Sequence, residues 1–127
     1  MRIGAIIMFK QCPLCGNTWK NREAFLADPN LVIIGYQARL EKIKDGLFLF
    51  NHTCQTTLAM EVMEFDDLYQ GPKYDVSLVD TDECSEFCVD MNNLDACGAE
   101  CKYAYVRDII QIIKNWPKIK QQSSVFA

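Results

Sequence analysis

Leu47-Phe48-Leu49-Phe50-Asn51-His52-Thr53-Cys54 reads as a strand that runs into two metal-ligand residue types. Its four apolar residues do not alternate with polar ones, which predicts a strand covered on both faces. Gly46 in front supplies a turn. If the extended backbone continues past Phe50, His52 and Cys54 point to the same side, because strand side chains repeat every second residue. Working outward, Leu31, Val32, Ile33, Ile34 and Tyr36 predict a neighbouring strand over Leu31 to Arg39, and Thr56 to Met60 predicts a third. The expected fold is therefore α+β, built on a small antiparallel sheet.

The flanks supply the helices. Asn21 is a natural N-cap for a short helix to Asp28, with Glu23 in its first turn and Pro29 ending it. A helical turn is expected from Glu64 to Tyr69, closed by Gln70-Gly71-Pro72. The C-terminal helix has the clearest pattern. At 100° per residue Cys101, Tyr105, Val106, Ile109, Ile110, Ile112, Ile113 and Trp116 share one arc, while Arg107, Asp108, Gln111 and Lys114 take the other side. Asp95 is its expected N-cap and Trp116-Pro117 its stop. With no internal repeat or low-complexity linker, residues 1–117 read as one metal-binding domain and 118–127 as a frayed tail.

Composition narrows the function classes. The chain has 127 residues, 13 Lys+Arg against 17 Asp+Glu, and a formal net charge of -4. An acidic balance argues against nucleic-acid binding, which needs basic surface to neutralise phosphates. The apolar run Ile3 to Phe9 is shorter than the ~20 residues of a membrane span. Lys10-Gln11-Cys12 stands where a signal peptide would have its small-residue cleavage site. These readings favour a cytoplasmic chain that is not membrane-bound, with Met8 as an alternative start to Met1. Seven cysteines are too few for a small disulfide scaffold, yet they are the dominant chemical feature.

Cys12-Pro13-Leu14-Cys15-Gly16 resembles the metal knuckle of rubredoxins and zinc ribbons over these five residues. Two thiolates two residues apart reach one ion from a single tight turn, and a following glycine accepts the positive φ that aims backbone N–H groups at sulfur. No second CxxC follows. The expected completion is therefore Cys12, Cys15, Cys54 and His52, which ties distant parts of the chain together. The plainer reading leaves Cys54 as a small buried hydrophobe and His52 as an ordinary core or surface residue. A thioredoxin-type dithiol is disfavoured, since it needs the first thiol at a helix N-terminus and Gly16-Asn17-Thr18 is a poor helix opening.

Cys84-Ser85-Glu86-Phe87-Cys88 and Cys97-Gly98-Ala99-Glu100-Cys101 form two CxxxC pairs. On helices each pair shares a face, so a cysteine-bearing helical hairpin, hinged at Asn92-Asn93, is expected to oppose four thiols. That set could hold zinc, bind an iron–sulfur cluster, or form two disulfides resembling those of twin-CxxxC proteins. Glu61, Glu64, Asp66 and Asp67 read as a solvated face rather than an acid–base pair. The sequence thus predicts a small cytoplasmic metal-binding protein, zinc being the favoured ion. Its expected role is non-enzymatic, as a structural or regulatory module for a protein partner or homodimer; the alternative is an iron–sulfur or thiol-based redox carrier or sensor.

Overall fold

The computed structural model describes residues 8–119. Met1, most of the N-terminal apolar run, and the tail from residue 120 lie outside the described residues. Strands β1 (Lys10–Gln11) and β2 (Thr18–Trp19) pair as a minimal antiparallel hairpin. Helix α1 (Arg22–Ala27) follows, and the Asn21 side chain accepts from the Ala24 backbone N–H as the expected N-cap. Three longer strands, β3 (Leu31–Gln37), β4 (Leu47–His52) and β5 (Thr57–Glu61), form an antiparallel sheet in the order β3-β4-β5. Helix α2 (Ala104–Lys114) closes the described fold.

Antiparallel register decides which residues make the core. Tyr36 lies opposite Phe48, and Phe48 opposite Met60; Ile33 lies opposite Phe50, and Phe50 opposite Leu58. These side chains share one face and pack with Phe25, Leu26, Phe65 and the α2 residues Val106, Ile109, Ile110 and Ile113. Edge-to-face ring contacts tie the elements together, with Phe25 5.0 Å from Phe50 and 5.1 Å from Trp19. The other face is less covered. Contrary to the expectation for Leu47–Phe50, β4 alternates: Phe48, Phe50 and His52 are buried, Leu47 and Leu49 only half-buried, and Asn51 exposed. Val32 and Ile34 on the outer face of β3 remain exposed, so among the described residues the sheet has one true core face.

A bulge between Ile33 and Gly35 shifts the β3 register and brings Tyr36 inward. At the same place the loop near Met91 docks on the sheet edge, where the Tyr36 N–H donates to the Met91 carbonyl at 2.9 Å. A Cβ on Gly35 would stand 3.1 Å from that carbonyl oxygen, so the glycine permits the close approach.

The expected cysteine-bearing helical hairpin is not formed. Between Val76 and Tyr103 the only helical piece is a 3₁₀ turn at Phe87–Val89, and α2 begins at Ala104 rather than after Asp95. Side-chain caps explain this. The Asn92 N–H donates to Asp90 Oδ1, the Asp95 N–H to Asn93 Oδ1 and the Glu83 N–H to Thr81 Oγ, each a local turn that competes with helical hydrogen bonds. The Glu64–Tyr69 turn becomes two 3₁₀ pieces, Val62–Glu64 and Asp66–Leu68, with Phe65 buried between them. Its carboxylates bind surface cations: Asp67 pairs with Arg22 and Asp66 with Lys73 and Lys44. At the other end, Lys118 Nζ donates to the Leu26 and Leu31 carbonyls, and the Ile119 N–H to Ala27.

Candidate metal centre

Two turns converge at one end of the sheet. The first links β1 to β2, where the Gly16 N–H donates to the Cys12 carbonyl at 2.9 Å and the Cys12 N–H to the Asn17 carbonyl at 2.8 Å. Gly16 has φ +81°, so this position favours glycine. Cys15 is followed by β2, not by a helix that could activate Cys12 as in a dithiol oxidoreductase. The second turn links β4 to β5. His52 ends β4, its N–H donating to the Thr56 carbonyl, while the Gln55 N–H returns to the His52 carbonyl. Cys54 therefore sits in the turn and not on an extended strand, but the turn still leaves it beside His52.

Cys12, Cys15, His52 and Cys54 bring one ligand atom each to within 4.8 Å of one another. The Cys12 and Cys54 sulfurs are 3.6 Å apart; His52 Nδ1 lies 3.1 Å from the Cys54 sulfur and 3.7 Å from that of Cys15. A tetrahedral ion with sulfur at ~2.3 Å and nitrogen at ~2.0 Å requires ligand–ligand edges of about 3.5–3.8 Å. The set is thus close to the size of such a shell. Cys12 and His52 are buried, Cys54 is half-buried and Cys15 is exposed, placing the centre at the edge of the core. Trp19 holds the imidazole edge-to-face at 5.3 Å, and its own indole N–H donates to Asp28 Oδ2.

The electrostatics of the group suit a cation. The Cys12 thiol is drawn down to about 6, chiefly by the Cys15 backbone N–H, with burial opposing and the Leu14 N–H assisting. Cys54 is also lowered, first by Thr56 and then, against burial, by His52. Cys15 has the Asn17 N–H pulling its thiol down, but burial and the neighbouring Cys12 and Cys54 sulfurs outweigh it, and the net direction is up. For His52, burial lowers the pKa while contact with Cys54 and Cys12 more than reverses that. Negative charge gathered on adjacent sulfurs therefore penalises the last thiol, and a divalent ion bound among them relieves that repulsion.

The second constellation is arranged differently. Cys84, Cys88, Cys97 and Cys101 all line one cavity of about 20 Å³. They are not drawn together as the first set is; among the described residues only the Cys12 group gathers three or more such ligand atoms within 4.8 Å. All four are free thiols, as are the other three cysteines. Burial pushes the Cys88 thiol up, with Arg107 opposing and the three other cysteines adding to the rise.

The sequence pattern places Arg107 on the polar side of α2, and the structure corrects this: it is the largest fully buried side chain among the described residues. Its guanidinium donates to the carbonyls of Asp95, Phe87 and Asn93, while Gln111 one turn on donates to that of Leu94. Together they pin the irregular loop between the two CxxxC pairs.

No protein-family profile matches the chain, no curated protein matches it, and no solved structure matches its fold. Among the described residues no helix is long and apolar enough to cross a membrane.

Proposed function

We propose that the protein is a zinc-dependent structural or regulatory module whose Cys12, Cys15, Cys54 and His52 centre holds the β1–β2 turn onto the sheet. The observation that carries this reading is the mutual approach of all four ligand atoms to within 4.8 Å from segments about forty residues apart. Three thiolates and one imidazole match the donor set of structural zinc. Four protein ligands fill a tetrahedral shell and leave no position for a catalytic water, so the ion's work is to stabilise the fold. Reduced thiolate ligands suit a reducing compartment, and the cytosol is the proposed location.

A protein partner or a second copy is the proposed target, with Leu14, 64% exposed at the tip of the knuckle turn, as the side chain the ion would hold outward. Elemental analysis and a visible spectrum of anaerobically purified protein test the metal assignment. The expected result is colourless protein carrying zinc, with one equivalent lost in Cys12→Ser/Cys15→Ser. Brown protein containing iron and sulfide would replace this reading with a redox carrier.

A further inference from the structure

Arg107 presents an unusual electrostatic problem. Its side chain is 0% exposed, and it carries a positive charge that a guanidinium does not lose. Nε donates to the Asp95 carbonyl at 2.8 Å, Nη1 to Phe87 at 3.4 Å, and Nη2 to both the carbonyl and Oδ1 of Asn93. Its flanks are the rings of Tyr36 and Phe87, at 5.8 and 5.6 Å. Every hydrogen-bond partner is a neutral oxygen, and among the described residues no carboxylate forms an ion pair with it. Carbonyl dipoles solvate a buried cation but do not neutralise it, and buried charges without a counter-charge are costly.

The adjacent cavity offers the missing charge. Phe87, whose carbonyl and ring both meet Arg107, lines that cavity next to Cys88, and the other three cysteines line it too, among Val79, Ala99, Tyr103 and Ala104. Three of the four sulfurs already accept hydrogen bonds. The Leu78 N–H donates to Cys101 at 3.3 Å, the Glu86 N–H to Cys84 at 3.3 Å, and the Ser85 hydroxyl to Cys97 at 3.4 Å. Glu86 takes φ +64° in making its contact, a left-handed conformation uncommon for this residue type.

We propose that Cys84, Cys88, Cys97 and Cys101 form a second metal site that closes around a single zinc ion and supplies the counter-charge of buried Arg107. Four thiols release their protons to solvent as the ion enters, and the resulting zinc tetrathiolate carries a charge of about −2. The guanidinium neutralises part of that charge from within the core. Four sulfurs around one small cavity, of about 20 Å³, match the all-thiolate donor set of a structural zinc ion. The irregular backbone of the loop allows the sulfurs to move the remaining distance, while Arg107 and Gln111 hold its middle in place.

Native mass spectrometry and elemental analysis of the full chain, purified anaerobically from zinc-containing medium, test this. The wild type should carry two zinc ions, His52→Ala should lose only the first, and Cys84→Ser/Cys88→Ser only the second. Because the cysteine variant could fail to fold, Arg107→Gln provides an independent arm. It should weaken the second zinc by 10–100-fold in competition with a chelator, the range seen for outer-shell partners, and leave the first unchanged. A single zinc in the wild type that is lost in His52→Ala would overturn the second site and leave the first standing. Iron with sulfide in the wild type, or a mass deficit showing disulfides among these four cysteines, would likewise overturn it.

Discussion

The two cysteine sets stand on different kinds of backbone. Cys12 and Cys15 lie in a turn closed by paired strands, and His52 and Cys54 lie at the β4–β5 turn of the main sheet, so hydrogen-bonded ladders fix the backbone that carries the ligands. Cys84, Cys88, Cys97 and Cys101 sit on irregular chain whose carbonyls are gathered by side chains from α2. The first arrangement has nearly the dimensions of a metal shell; the second has the cavity, the donors and a buried cation, with its sulfurs less closely gathered. Strand pairing preorganises a site to a degree that a side-chain-pinned loop does not.

The largest expected effect breaks the first set. Binding free energies of structural zinc are ~10–16 kcal/mol, comparable to a domain's whole stability. Cys12→Ser/Cys15→Ser, or a strong chelator, is therefore expected to unfold the β1–β2 end or the whole domain. Thermal melts followed by circular dichroism would show this, and a double variant melting like the parent would make the knuckle dispensable.

Next in size is Arg107→Met. This removes the donors to the Asp95, Phe87 and Asn93 carbonyls, and leaving buried acceptors unpaired costs ~1–3 kcal/mol for each group. Urea denaturation should show a loss of at least ~2 kcal/mol. Hydrogen exchange should speed up in residues 87–103 before it does so in β4, if this loop depends on α2 while the sheet does not. Uniform loss of protection would merge the two regions into one cooperative unit.

Asn21→Ala should cost ~1 kcal/mol, because the cap of α1 satisfies the Ala24 N–H beside the first site. The smallest effect belongs to Arg22→Ala: its ion pair with the exposed Asp67 carboxylate is worth no more than ~1 kcal/mol. Asp67 has its pKa lowered, first by Arg22, so this small contribution is present above the ordinary carboxylate range and fades as pH falls through the lowered value. An acid titration in which the stability difference between Arg22→Ala and the parent is present above that range and vanishes below it would locate it.

The same contrast explains how much could be read from residues alone. The sheet, α1 with its Asn21 cap, the apolar arc of α2 and the Cys12, Cys15, His52 and Cys54 grouping were legible, because each rests on local periodicity or on a turn with its own chemistry. The grouping across forty residues followed from ligand counting, and the inward alternation of Phe48, Phe50 and His52 realised it. The helical hairpin was misread because CxxxC spacing suits a helix equally well, while Asp90, Asn93, Thr81 and Ser85 capped local turns instead. Burial of Arg107 was also missed: a charged residue opposite an apolar arc ordinarily faces water, and only the loop folded over α2 reverses that.

Zinc-edge X-ray absorption on Cys84→Ser/Cys88→Ser, which isolates the first centre, tests the central claim most directly. The expected shell is three sulfurs at ~2.3 Å and one imidazole nitrogen at ~2.0–2.1 Å, with the nitrogen contribution lost in the additional His52→Ala variant. A shell dominated by oxygen, or one unaffected by removing His52, would contradict the assignment of Cys12, Cys15, Cys54 and His52 as a single metal centre.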